Sequence, residues 1–481
     1  MTPPDRSCNS FDRATTPSNS LFNLQSSFAR LEDEKLSFKE MKAKLEEAKR
    51  TPGRGNRPWE DGQTLNAPPK IQKVQPYLRN RPDFAKYYSP KLVSIGPIHR
   101  KDTQENLKQG EHYKMIWAAM YLEDTAQSAE CLFAEIRRRL PALKQLYTED
   151  AIEDFLDKDE ELAWIFLMDG CAVLRFIQQA DSNCPEVDLK VKIDQLVLVQ
   201  QDLLLLENQL PYELLKLLSK GGETELKEYT VKFLQRHQMT RIIGVDKPPR
   251  QAEITVDHPT HLLHLLRQYI VGDLDRNSSE DREGTGSGFP KFPTYRNIQE
   301  LKAAGISVTK GNICTTLTDI RFDCAMTWKG FGRLQLPKLV VDDSTLPTFL
   351  NLIAYEMCPD FLNGYGISSY VAFLDSLIDH AGDVKDLRKE EVLHNALGSD
   401  EEVAKLFNTI STDLVPDTER YGKIRRDLEK RYDTMWMTWV AQAIHDFSKP
   451  CPFLSFVAAL IALCLTSVQT WFTVHPPPSN A

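Results

Sequence analysis

The chain lacks the cysteine spacing of a metal site. Its nine cysteines, at Cys8, Cys131, Cys171, Cys184, Cys314, Cys324, Cys358, Cys451 and Cys464, are scattered, odd in number and without a CxxC pair, which argues against a zinc cluster and against a disulfide framework. They fit a reducing compartment, with thiols expected to pack as small apolar side chains. Charge of one sign is also lacking. Lys and Arg number 59 against 68 Asp and Glu, a formal net charge of −9. The two signs are mixed along the chain, so no electrostatic footprint for nucleic acid exists and none is expected as a partner. The first residues have no apolar run, and Asp5, Arg6, Asp12 and Arg13 interrupt them, which argues against an N-terminal secretory signal. GxSxG, HExxH and protein-kinase signatures are missing too. No catalytic residue, cofactor or metal ligand is therefore assigned, and the chain is not expected to be an enzyme.

Two near-misses need weighing. Asp257-His258-Pro-Thr-His261-Leu-Leu-His264 offers three histidines at i, i+3 and i+6. On a helix of ~3.6 residues per turn the first and last differ by about 240°, so a helix start with His261 and His264 partly packed is the expectation. Gly284-Thr-Gly286-Ser-Gly288-Phe-Pro-Lys291 has no apolar strand before it and Phe289-Pro290 where a helix should begin, so it reads as a linker rather than a phosphate cradle.

What the chain does have is enough apolar content, 41% of 481 residues, to bury a large core. Residues 1–26 are Ser/Thr/Asn/Pro-rich and read as a tail. Residues 27–50, with Phe28, Leu31, Phe38, Met41 and Leu45, read as one amphipathic helix, and 51–70 as a Pro/Gly linker. A mainly α body follows over 71–450, with helices predicted at Glu111–Asp124, Glu161–Gln179, Lys190–Leu218 and Thr345–Met357. A small β element is expected from Asn312–Phe322 and Gly332–Val341, and the Gly/Ser-rich stretch 276–293 is a candidate boundary between two lobes.

Residues 454–474 contain no charge. As a helix of ~1.5 Å rise they would span roughly 31 Å, close to the ~30 Å of a bilayer's hydrocarbon core. Leu454, Phe456, Val457, Leu460, Ile461, Leu463, Leu465, Val468, Trp471 and Phe472 form the expected membrane anchor, with 475–481 as a short tail. Upstream, Arg420, Lys423, Arg425, Arg426, Lys430, Arg431 and Lys449 outnumber the nearby acids, and no Lys or Arg follows the segment. That asymmetry predicts a single-pass chain, inserted after synthesis, with its body in the cytosol.

Polar residues inside apolar runs are the remaining signal. Asp202-Leu-Leu-Leu-Leu-Glu207-Asn208-Gln209-Leu210-Pro211 predicts a helix kink whose freed carbonyls meet Asn208 and Gln209. Asp169-Gly170-Cys171 predicts a buried aspartate with a basic or capping partner.

These motifs resemble the plant family built on the domain of unknown function 247. Val74-Gln-Pro-Tyr-Leu-Arg79 and Ser94-Ile-Gly96-Pro97-Ile-His99 resemble its opening block, with Gln75 inserted and Ile98 in place of a tyrosine. Leu167-Met-Asp169-Gly170-Cys171 and Asp202 to Pro211 resemble its second and third motifs. Leu334-Gln-Leu-Pro337, Asp342-Asp343-Ser344-Thr345 and Asn351-Leu-Ile-Ala-Tyr355-Glu356 match further on. The resemblance covers about 71–474 and brings no catalytic residues with it. Some grass members are implicated as pollen-side determinants of self-incompatibility, so it implies recognition or signalling at a membrane. A membrane-tethered module that binds other proteins is the leading expectation. The alternatives are an enzyme using Asp169, Glu207 or the histidines near His261, and a soluble protein that buries its last helix.

Overall fold

In a computed structural model of the chain the described residues are 42, 69–102, 104–179, 182, 184–236, 259–272, 297–311, 316–324, 332–361, 364–412, 414–417, 419–432 and 450–474. Contacts divide the chain into Met1–Asn66 and Ala67–Ala481. In the first unit only Lys42 is described, in helical conformation, so the expected tail and amphipathic helix lie outside the described residues, as does the linker except for Pro69 and Lys70. The stretch 276–293 lies outside them as well.

The second unit begins with helices. Buried residues of α1 (Glu105–Thr125) fall at Leu107, Gly110, Lys114, Trp117, Ala118, Tyr121 and Thr125, the three-and-four spacing of one helix face. That face lies along α3 (Asp159–Gln179), which also receives α2 (Ala129–Lys144). Ser128 begins α2 by accepting from the Cys131 N–H. α3 is buried almost throughout, because helices pack on it from several sides: α1, α2, α5 (Tyr212–Leu218) and α6 (Gly222–Arg236). Between α3 and α5 lies α4 (Ile193–Asp202). After α7 (Leu262–Val271) and α8 (Ile298–Ala303) come the strands.

The sheet has the order β1-β3-β2, from Ile306–Lys310, Gly332–Leu336 and Arg321–Cys324, with β1 parallel and β2 antiparallel to β3. Val308, Leu334 and Phe322 lie side by side across it. A separate parallel pair joins β4 (Leu339–Val341) to β5 (Leu393–Asn395). Two sequence readings need correction here. The segment Gly332–Val341 is two strands in different sheets, because Pro337 has no N–H to continue the ladder. Of the segment Asn312–Phe322, residues 312–315 lie outside the described residues, and among the rest strand is found only at Arg321 and Phe322, after a turn at 316–318.

Helices α9 (Thr345–Glu356), α10 (Gly366–Asp375), α11 (Ala381–Lys389) and α12 (Asp400–Ile410) pack on one another, α11 also meets β5, and α13 (Gly422–Tyr432) packs on β2. One hydrophobic cluster runs from Ile71 to Leu428. The body is thus mainly α with a few strands.

The last helix, α14, spans Pro450–Val474, 25 residues. Its side chains are described from Val457 to Trp471, where Leu460, Ile461, Leu463, Leu465, Val468 and Trp471 are 48–68% exposed. The side chains of Leu454, Phe456 and Phe472 lie outside the described set. Among the described residues no helix is long and apolar enough to cross a membrane, so the spanning helix expected from the sequence is not supported there. Cysteine burial is also mixed: Cys171 and Cys358 are buried as expected, whereas Cys131, Cys184 and Cys464 are exposed.

Candidate functional site

Residues 92–97 run through the interior with neither helix nor strand, so their backbone groups need partners from elsewhere. Side chains supply them. At the C-terminal end of α4, the Asp202 carboxylate accepts from the N–H groups of Lys91 (2.9 Å), Leu92 (2.7 Å) and Val93 (2.9 Å). Asn208 accepts from Ile95 N–H at 2.6 Å and donates to the Val93 and Asp202 carbonyls, both at 2.9 Å. Asp169 on α3 accepts from Gly96 N–H at 2.8 Å. Lys114 on α1 closes the arrangement by donating to Ser94 O at 2.5 Å and Asp169 at 2.7 Å, with Glu111 also at 2.7 Å. The segment is held as a sheet would hold a strand, but by side chains.

Glu207 and Gln209 extend this knot. Glu207 accepts from Val74 N–H at 2.7 Å and pairs with Arg79. His99 Nε2 lies 2.9 Å from Glu207. The other ring nitrogen of His99 meets Asp102 at 2.9 Å. Gln209 donates to the Leu203 and Leu205 carbonyls and accepts from Leu263 N–H, which ties the knot to α7. A kinked helix over Lys190–Leu218 is therefore replaced by two helices and an irregular link, 203–211. Carbonyls freed by the break do meet Asn208 and Gln209. Pro211 starts α5 at the position just before its first turn, where its missing N–H removes no bond.

Glycine is required twice. Gly110 lets α1 approach the segment so closely that a Cβ there would sit 1.8 Å from Leu92 O. Gly96 has φ +75°, and its Cβ would meet Gln209 O at 2.9 Å. Gly96→Ala is expected to lower stability by about 2–4 kcal/mol, from left-handed backbone strain plus the displaced carbonyl. A urea midpoint equal to wild type would show that the turn adapts without loss.

Burial governs the protonation of the knot. It pushes Asp202 up to about 6 against the pull of three N–H donors. Burial also raises Asp169, with Lys114 opposing. Around Glu207 burial is outweighed by His99 and Arg79, and its carboxyl lies below the ordinary value. The carboxylates of Asp169, Asp202 and Glu207 are at most 2% exposed, and their oxygens are taken up by backbone donors and cations of the chain itself.

Of the residues singled out in the sequence, Ser94, Gly96, Pro97, His99, Asp169, Asp202, Glu207, Asn208 and Gln209 meet in this knot. Gly170 lies beside it, allowing Leu218 of α5 to approach α3. Asp342 is elsewhere: it accepts from Ser344 N–H and from the hydroxyls of Ser344 and Thr345 at the start of α9, while Asp343 is exposed. His261 caps α7 by accepting from His264 N–H, and its ring packs 5.0 Å from that of Tyr355. His264 accepts from Thr260 N–H, and His258 lies outside the described residues. Among the described residues no group of three His, Cys, Asp or Glu is placed to hold a metal ion. A surface groove of about 770 Å³ lined by Arg81, Asp83, His380, Glu401 and Lys405, among others, contains none of the residues of the knot.

Lys114 was not recognised from the sequence. Its signal was present: a lysine three residues before Trp117 and seven before Tyr121 lies on the apolar face of α1. A second buried pair, Arg267 with Glu356 at 2.8 Å, holds the start of α10 through the Ile367 and Ser368 N–H groups.

The chain belongs to the DUF247 family, described as plant protein of unknown function, whose model matches residues 71–465. It is similar to the UPF0481 protein At3g47200 of Arabidopsis thaliana, 26% identical over 414 residues covering 80% of this chain and 82% of the relative. The putative UPF0481 protein At3g02645 of the same plant is 26% identical over 186 residues, covering 38% of this chain and 33% of its own length. No solved structure matches the chain.

Proposed function

We propose that this protein is a membrane-tethered, cytosol-facing module that recognises or regulates other proteins. The observation that carries the reading is α14: a 25-residue helix without a charged residue that turns Leu460, Ile461, Leu463, Leu465, Val468 and Trp471 outward. Over the full helix, ~1.5 Å per residue gives roughly 37 Å, sufficient for a bilayer core of ~30 Å, whereas the described side chains alone fall short of it. Exposed apolar groups on all sides of a helix call for an apolar surrounding. Lys and Arg cluster ahead of α14, at Arg420, Lys423, Arg425, Arg426, Lys430, Arg431 and Lys449, which favours a cytosolic body. Recognition rather than catalysis is supported by the family motifs, whose carboxylates are consumed in holding the chain's own backbone. Tethering would raise the effective concentration of partners on the same surface, and pollen self-incompatibility is one setting in which such a module would act.

The test is carbonate extraction of the full chain from plant membranes. Retention in the pellet is expected, with release on truncation after Tyr432. Recovery of the full chain in the soluble fraction would overturn the reading.

A further inference from the structure

Helix α13 is the last described element before α14, and its two faces differ. Leu428 is buried, Ile424 packs on the core, and Tyr421 just before the helix is buried with its hydroxyl donating to Thr318 O. At ~100° per residue Lys423, Arg426 and Lys430 fall within an arc of about 60° opposite that face. All three are exposed. No acid of the helix falls within the arc: Asp427 flanks it and is half-buried, Glu429 is turned toward the side, and Glu419 precedes the helix. From packed elements, Glu300 faces Tyr432, and Asp319 is engaged with Arg321. The outward arc is therefore net positive. Residues 433–449 connect it to α14, seventeen residues that can reach at most about 58 Å when fully extended.

We propose that this basic face of α13 binds the anionic headgroups of the membrane leaflet on which the body sits. The inference rests on the membrane reading above and deepens it, since it names the lipid chemistry and the contact. Positive side chains near an anionic bilayer gain about 1 kcal/mol each, about fivefold in partitioning, so three give roughly 100-fold. The contact falls off within a Debye length of ~8 Å at physiological salt. It would hold the body against the leaflet, and so fix which of its surfaces partners meet.

Flotation of the purified full chain with vesicles tests this, comparing phosphatidylcholine alone with phosphatidylcholine containing phosphatidylserine, at low and high salt. Wild type is expected to bind both and to prefer the serine lipid by roughly 100-fold at low salt. Lys423→Gln, Arg426→Gln and Lys430→Gln together should abolish the preference and leave binding to phosphatidylcholine unchanged. Lys423→Arg with Lys430→Arg should keep the preference, which separates charge from damage to the helix. Equal binding of wild type to both vesicles overturns the inference and leaves the anchor standing. Binding to the serine lipid alone, lost in the Gln variant, supports the basic face and overturns the anchor. Binding to neither overturns both.

Discussion

Lys114→Met is expected to destabilise the body by about 3–5 kcal/mol, the loss typical when one member of a buried ion pair is removed. Lys114 is 1% exposed and Asp169 2%, so neither charge can turn to water when its partner is lost. The lysine also holds Ser94 O, and the methionine can hold neither that carbonyl nor the carboxylate. A shape-matched apolar side chain keeps the packing beside Trp117, so the measured change reports the polar contacts. The check is urea unfolding of the full chain in detergent, followed by circular dichroism. A midpoint shift worth under about 1 kcal/mol would mean that Asp169 finds another donor or takes up a proton without penalty. Combining Lys114→Met with Asp169→Leu should cost less than the sum of the single changes, because the two residues share one interaction.

Asp202→Ala is expected to be as severe, by a different route. Three N–H groups, the buried ones of Leu92 and Val93 and the part-buried one of Lys91, would lose their acceptor at once. At about 1–3 kcal/mol for each unsatisfied donor, the loss is several kcal/mol even if one is regained from solvent. Asp202→Asn should cost less, because its carbonyl still accepts from Leu92 and Val93 while its amide N–H is set against that of Lys91. The pH dependence distinguishes the carboxylate from its shape. With its pKa raised to about 6 in the fold, against 3.8 for an ordinary aspartate, the group binds a proton more readily folded than unfolded. Its contribution is thus fully present below about pH 4 and is lost as pH rises through about 6. The Asn variant should lack that falling slope between about pH 4 and 6, measured as melting temperature against pH for both proteins. Parallel curves would show that Asp202 keeps an ordinary pKa.

Asp169, Asp202, Glu207, Asn208 and Gln209 all hold the chain's own backbone, and their residue types explain how. A segment crossing an interior without strand neighbours needs acceptors and donors at fixed points. Asp, Asn, Gln and Lys are the side chains that supply them, and they are also the side chains of active sites. In the sequence, Asp169 and the run from Asp202 to Pro211 stood out because polar groups are costly among leucines. Their partners did not stand out: Lys91, Leu92 and Val93 contribute only backbone, which no residue type announces. Ser94 to His99 was visible as a motif, yet nothing in its composition says that the chain leading into it, at Leu92 and Val93, threads under α1 at Gly110. The strands show the same limit, for a proline inside one apolar run separated two strands that belong to different sheets.

By itself the sequence determined the mainly helical character of the body, through apolar spacing such as that of α1, and the charge-free composition of 454–474, because periodicity and charge are local properties. It also determined which polar residues had to find buried partners. Only the tertiary structure decided which partners those were. Glu207 meets Val74 more than a hundred residues away, and Lys114 meets Asp169 from another helix, since such pairs are set by how helices pack and not by distance along the chain.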